Sequence, residues 1–167
     1  IINLSKKRNK IVIVDPKRQC FSLYRGANII TPNFNELIDA SKIISNQKKD
    51  EIENITFLSK ELSKRFSFDT IITTRSSKGM QIYQKNKEVI NLKSEAVEVY
   101  DVSGAGDTVV AYLALGLSVG NTLHQSALIS NKAAGIAVGK FGTASVSSSE
   151  LIKEDFFKKI VSDSKAK

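Results

Sequence analysis

The segment Asp101-Val102-Ser103-Gly104-Ala105-Gly106-Asp107-Thr108 carries the residues best suited to chemistry. Two glycines and an alanine let a backbone turn press close to a ligand. The apolar run Val109 to Leu117 directly behind them reads as a helix. The amides that open such a helix have no partners within it and favour anions. Asp107 puts a carboxylate inside that positive pocket. A carboxylate there is explained if it takes a proton from a group attacking a phosphate, the chemistry of phosphoryl transfer to a hydroxyl. Gly-Ala-Gly alone is weak evidence. It is not a dinucleotide-binding G-x-G-x-x-G, because Val109 stands at the third glycine's place, and no Gly-Lys-Ser/Thr makes a Walker A loop. Asp107 also has an ordinary alternative as a helix cap. Capping leaves the three small residues and Asp101 unexplained.

Asn33 and Glu36 form a second constellation, one helical turn apart after Thr31-Pro32. They read either as an N-cap with its reciprocal glutamate or as a polar pair orienting a hydrated Mg²⁺ and phosphates. Thr73-Thr74-Arg75-Ser76 follows a strand, where α/β sheets bind ligands; an ordinary loop is the alternative. Asn131 lies in an alanine-rich helix, as a polar residue near solvent or a ligand contact. Lys17 reads as a surface lysine before a phosphate contact. His124 belongs to the exposed start of its helix, with no catalytic part.

These residues need elements to hold them. Ile11 to Val14 and Asn28 to Ile30 read as short buried strands, with helices over Asn33 to Ile44 and Glu51 to Phe66. Thr70 to Thr74 is the next strand. Gly79 to Tyr83 and Glu88 to Leu92 read as a hairpin around Lys85-Asn86-Lys87. Val97 to Tyr100 leads, extended, into the Gly-rich turn. Helices follow over Ala105 to Leu117 and Thr122 to Val138, the second with Ala133, Ala134 and Gly135 allowing close packing. Glu154 to Val161 reads as a terminal helix, and residues 163–167 as a frayed tail. Strands alternating with helices predict a parallel sheet covered on both faces.

With 167 residues, the chain is long enough for one domain with a core. No apolar run reaches the ~18 residues of a membrane span, and no signal peptide is visible. Residue 1 is Ile and the only Met is Met80, so the chain reads as a piece of something longer. The lone Cys20 fits a reducing cytoplasm. A single histidine argues against a zinc site and a Ser-His-Asp triad. The net charge of +8 reads as a lysine-rich solvated surface or as attraction of phosphorylated substrates. The lysines carry no interleaved aromatic residues, so nucleic acid is not expected as a partner.

Taken together, these segments resemble the ribokinase-like (PfkB) sugar kinases. Asp101 to Thr108 looks like that family's carboxy-terminal signature. In order along the chain come Val14-Asp15-Pro16-Lys17, Tyr24-Arg25-Gly26-Ala27, Thr31-Pro32-Asn33, Thr74-Arg75-Ser76 with Gly79-Met80, Val99 to Val102, and Gly139 to Thr143. This series resembles the D-glycero-β-D-manno-heptose-7-phosphate kinases, which act in making ADP-heptose for the lipopolysaccharide core. The resemblance covers about Lys10 to Leu151. It implies a three-layer α/β/α fold with a mostly parallel sheet. That sheet would be incomplete at its amino-terminal side, residues 1–167 being the ATP-binding and base-bearing half. It implies Asp107 as catalytic base and the amides of Gly104, Ala105 and Gly106 as an anion hole. It places Asn33 and Glu36 near Mg²⁺ and phosphate, Thr74, Arg75 and Ser76 along the nucleotide, and Asn131 near adenine. It sets Asp101 and Ser103 beside a monovalent cation such as K⁺. The implied partners are ATP, a sugar phosphate and the missing amino-terminal half, with a homo-oligomer left open. The wider family often has glycine where Ser76 stands. Without its other half the chain should present an open edge strand near Ile11 to Val14. Another PfkB-type kinase, such as one for a fructose phosphate, and an inactive nucleotide-binding fragment are the alternatives.

Overall fold

The computed structural model describes residues 1–17, 20–42, 51–96 and 98–152, with the side chains of α3 described from residue 54 on. Two compact units divide it, Ile1–Lys93 and Ser94–Lys167. Ile43 and Ile44, the expected helix Glu154 to Val161 and the tail at 163–167 fall outside the described residues.

The first unit begins with a short helix, α1 (Ile2–Lys7), in the basic stretch that the sequence left unassigned. A five-stranded sheet follows in the order β1 (Ile13–Val14), β2 (Ile29–Ile30), β3 (Thr70–Thr74), β4 (Met80–Gln84), β5 (Ile90–Leu92). The first two pairings are parallel and the last two antiparallel. The parallel character expected from strand–helix alternation is thus confined to β1–β2–β3, and the hairpin supplies the rest. Lys85-Asn86-Lys87 turns the hairpin as expected, with Asn86 at φ 62°, a conformation Asn tolerates better than most residues. β1 is shorter than the run Ile11 to Val14 and lies at the sheet edge, with Ile11 exposed.

Two helices join β2 to β3: α2 (Phe34–Ser41) and α3 (Glu51–Phe66). Ile55, Leu58 and Leu62 recur at helical spacing on α3 and are all buried. They meet Leu37 and Ala40 of α2, Ile30 and Ile71 of the sheet, and Phe21, Phe66 and Phe68. The aromatic rings meet edge-on or tilted, Phe21 to Phe68 at 6.3 Å and Phe66 to Phe68 at 5.9 Å, distances favourable for ring pairs. Phe21 enters the core from a 3₁₀ turn, Phe21–Tyr24.

The second unit holds α4 (Ala105–Ser118), α5 (Leu123–Ala137) and α6 (Ser148–Leu151). α4 and α5 pack closely where Gly116 faces Ser126; a Cβ on Gly116 would stand 2.9 Å from the Ser126 Cβ. Thr122 caps α5 by accepting the Gln125 amide on its side chain, while Gln125 reaches back to the Thr122 amide. Thr122→Ala should cost about 1 kcal/mol in chemical denaturation. The short α6 is opened in the same way by Ser147 and Glu150, and Lys140 pairs with Glu150 at 2.6 Å. That ammonium, with the Ser147 amide and hydroxyl, holds the Glu150 carboxyl down at about 2.

Candidate active site

In the first unit, the parallel pairing of β2 and β3 carries Thr31-Pro32-Asn33 and Thr74-Arg75-Ser76 to the same end of the sheet. The Thr74 amide donates to the Pro32 carbonyl at 3.0 Å, and Asn33 and Thr74 form a further parallel bridge. Five sequence-predicted site residues (Asn33, Glu36, Thr74, Arg75, Ser76) therefore collect at the carboxyl ends of two adjacent parallel strands, the ligand-binding end of open α/β sheets. Asn33 is the N-cap of α2: its Oδ1 accepts the Glu36 amide at 2.9 Å, and Glu36 Oε2 accepts the Asn33 amide at 2.8 Å. The reciprocal capping pair is realised. Asn33 is exposed and Glu36 half-buried, so both keep oxygen surface for a hydrated ion. Ser76 opens a 3₁₀ turn, Ser76–Lys78, and has φ 51°. This is the left-handed region, which glycine enters at least cost and which explains a preference for glycine at that place.

In the second unit, Glu95 and Ala96 lie against the C-terminal half of α5, ahead of the Gly-rich bend; Val97, where an extended piece was expected to begin, falls outside the described residues. Gly135 admits them: a Cβ there would stand 2.8 Å from both the Ala96 amide nitrogen and the Glu95 carbonyl carbon. The amides of Tyr100 and Asp101 both donate to the Val138 carbonyl, at 2.8 and 3.2 Å. Of the small residues expected to let a neighbour approach α5, Gly135 does so for this stretch of chain.

The bend turns at Gly104, the N-cap of α4, with φ 78°. Asp107 is the third residue of the helix, exposed, and is not its cap. The Ala105 amide already donates to the Val102 carbonyl at 3.2 Å. The amides of Gly104 and Gly106 make no hydrogen bond among the described residues, whereas the Ala105 amide, expected in the same anion hole, is taken. A Cβ on Gly106 would meet no atom within 4 Å, so this face of the bend is open to a ligand.

Asp101 holds the bend from behind. Its Oδ1 accepts the Ser103 amide at 2.8 Å and its Oδ2 the Gly142 amide at 3.1 Å. This second contact ties the Gly139 to Thr143 loop to the bend, a role that the sequence reading missed. Its only trace there is Gly142, which stands at φ 68°. The amide bonds, Ser103 first, hold the Asp101 carboxyl below the usual carboxylate range. A depressed carboxyl stabilises the fold fully above the ordinary aspartate value of about 3.9 and loses that contribution as pH falls through the folded value. Asp101→Asn should therefore lower stability at neutral pH, and the gap from the parent chain should narrow in denaturation at pH 3.

Asn131 is buried, against the solvent-facing alternative, and His124 is half-buried in the first turn of α5. Lys17 is exposed and pairs with Asp15 at 2.6 Å. A cavity of about 260 Å³ lined by Glu95, Glu98, Lys132, Ile136 and Glu150, among others, contains none of the expected site residues. No helix among the described residues is long and apolar enough to cross a membrane.

The first unit thus carries Asn33, Glu36 and Thr74 to Ser76 at the ends of parallel strands, and the second a left-handed glycine bend at the start of α4. Residues 1–150 match the pfkB family carbohydrate kinase model, and the chain belongs to that family. It is 42% identical over 151 residues to the bifunctional protein HldE of Psychromonas ingrahamii and 40% identical to that of Yersinia pestis. Each match covers 90% of this chain and 31% of the relative, so the chain spans about a third of those proteins. Among solved structures, the ribokinase of Thermotoga maritima superposes with a TM-score of 0.76 at 23% identity, over 94% of this chain and 52% of that one. The potassium complex of phosphofructokinase-2 from Escherichia coli gives 0.75 at 18%, over 96% and 50%. The fold class is theirs, ribokinase-like α/β, as the motif series implied.

Proposed function

We propose that this chain is the ATP-binding, base-bearing part of a kinase that phosphorylates a hydroxyl of a sugar phosphate. The acceptor is D-glycero-D-manno-heptose 7-phosphate and the product its 1,7-bisphosphate, in the making of ADP-heptose. The observation that carries the reading is the bend: a left-handed Gly104, an open Gly106, their two amides without acceptors among the described residues, and the Asp107 carboxylate one residue on. Asp107 removes the proton of the acceptor hydroxyl as its oxygen attacks the γ-phosphorus of ATP. The Gly104 and Gly106 amides stabilise charge on the transferring group, each such preorganised donor supplying about 3–4 kcal/mol. Thr74, Arg75 and Ser76 belong to the nucleotide loop, and Asn131 supports the adenine end. The HldE relatives and the ordered motifs support the heptose phosphate over other acceptors. In the longer protein, a panel of sugar phosphates should show preference for the heptose over fructose phosphates. Preference for a ketohexose phosphate would overturn the assignment.

The donor set at Asn33 and Glu36 fits Mg²⁺, which keeps several waters and needs only one or two carboxylates besides phosphate oxygens. When bound, Mg²⁺ neutralises phosphate charge. Glu36→Gln keeps the capping hydrogen bond, so stability should change by less than about 0.5 kcal/mol. The Mg²⁺ concentration for half-maximal activity should rise about 10-fold, the scale of a lost supporting carboxylate. Equal Mg²⁺ dependence in both proteins would leave Glu36 as a cap alone. A monovalent cation beside Asp101 and Ser103 is a subsidiary reading, tested by comparing turnover in K⁺ and Na⁺.

The short span of the chain relative to its relatives favours a second reading for the isolated piece, nucleotide binding without turnover. Calorimetry with Mg-ATP beside a phosphoryl-transfer assay on this chain decides it. Detectable transfer to sugar by the chain alone would exclude it.

A further inference from the structure

Arg75 spends part of its guanidinium on its own turn. Its Nη2 donates to the Lys78 carbonyl at 3.2 Å, and its Nε is buried without a hydrogen-bond partner among the described residues. A guanidinium placed to meet phosphate would keep its fork of donors open; this one is folded back onto its own turn. The backbone there is tightly looped. Arg75 N donates to Gly79 O at 2.8 Å, Lys78 N to Arg75 O at 3.0 Å, and Gly79 N to Ser76 O at 3.0 Å. Inside that loop Ser76 stands at φ 51° and Gly79 at φ 81°. Glycine tolerates this, whereas serine pays for it. Something must hold the serine in place, and the Arg75 side chain spans the same turn from Arg75 to the Lys78 carbonyl.

We propose that Arg75 is a positioning residue for the nucleotide loop, clamping the Ser76–Lys78 turn so that Ser76 keeps its left-handed conformation beside Thr74. The proposal rests on the reading of this loop as nucleotide-facing. It makes Arg75 and Ser76 a compensating pair: a glycine at position 76 needs no clamp, and a serine does.

The test uses Arg75→Ala, Ser76→Gly and the double variant. Mg-ATP affinity is measured by calorimetry, and amide hydrogen exchange over Ser76 to Gly79 is followed without ligand. Arg75→Ala should speed exchange in the turn and weaken Mg-ATP binding about 10-fold, the scale of one left-handed non-glycine residue. Adding Ser76→Gly should restore most of both. Weakened binding that Ser76→Gly does not restore, with exchange unchanged, would make Arg75 a direct ligand contact and overturn the proposal. Unchanged exchange and unchanged binding would overturn it too. If no protein of the set binds Mg-ATP, the nucleotide reading fails, while exchange still reports whether the clamp exists.

Discussion

Asp107→Asn, made in a protein that carries the whole kinase region of the relatives, should on the proposed function lower turnover by about 10²–10⁴-fold, the range for loss of a general base. Nucleotide affinity should change far less. The reason lies in where the residue sits. The N-cap of α4 is Gly104, which has no side chain to lend, and Asp107 stands two residues beyond Ala105 in the first turn, exposed to solvent. Asparagine keeps the size and the helix-start position but cannot accept a proton from the acceptor hydroxyl. A purely structural role at the helix start would give the opposite pattern, turnover within a few-fold of the parent, because asparagine serves a helix start about as well as aspartate. Steady-state kinetics separates the two, and denaturation of the same protein checks that the fold is kept.

Gly135→Val should destabilise the second unit by about 2 kcal/mol or more, at the upper end of overpacking costs, and should disturb the bend as well. The new Cβ would fall 2.8 Å from the Ala96 nitrogen, 2.8 Å from the Glu95 carbonyl carbon and 3.0 Å from the Glu95 oxygen. Those are backbone atoms, and they cannot swing aside as a side chain would. The stretch they belong to is anchored at Tyr100 and Asp101 by the Val138 carbonyl, and Asp101 in turn holds the amides of Ser103 and Gly142. Displacement at Ala96 is therefore expected to be felt at Asp101, the clamp behind the bend. Thermal denaturation reads the first effect and Mg-ATP affinity the second. Unchanged stability would mean that Glu95 and Ala96 do not pack on α5 as described.

Much of this was legible from residue types. Ile55, Leu58 and Leu62 announce the buried face of α3, and the β-branched run Thr70 to Thr74 announces a strand buried almost throughout. Local patterns carry that information because burial repeats with the period of the element. The reciprocal cap at Asn33 and Glu36 was equally plain, since both partners lie within one turn. The long-range ties were not. Gly142 reaching Asp101 spans 41 residues, and nothing in Gly139 to Thr143 names its partner. The Val102 carbonyl that occupies the Ala105 amide depends on how the bend closes, which spacing alone does not report. The 3₁₀ turns at Phe21–Tyr24 and Ser76–Lys78 lack a periodic signature because each is too short to have one.

On the proposed function, phosphate meets the Gly104 and Gly106 amides next to Asp107. A Mg-ATP titration followed by the backbone amide resonances of the labelled chain tests it most directly. Saturable shifts are expected at Gly104 and Gly106, with Ser76 moving in the same titration, and with inorganic phosphate affecting the bend but not Ser76. Saturable binding that leaves Gly104 and Gly106 unmoved would contradict it.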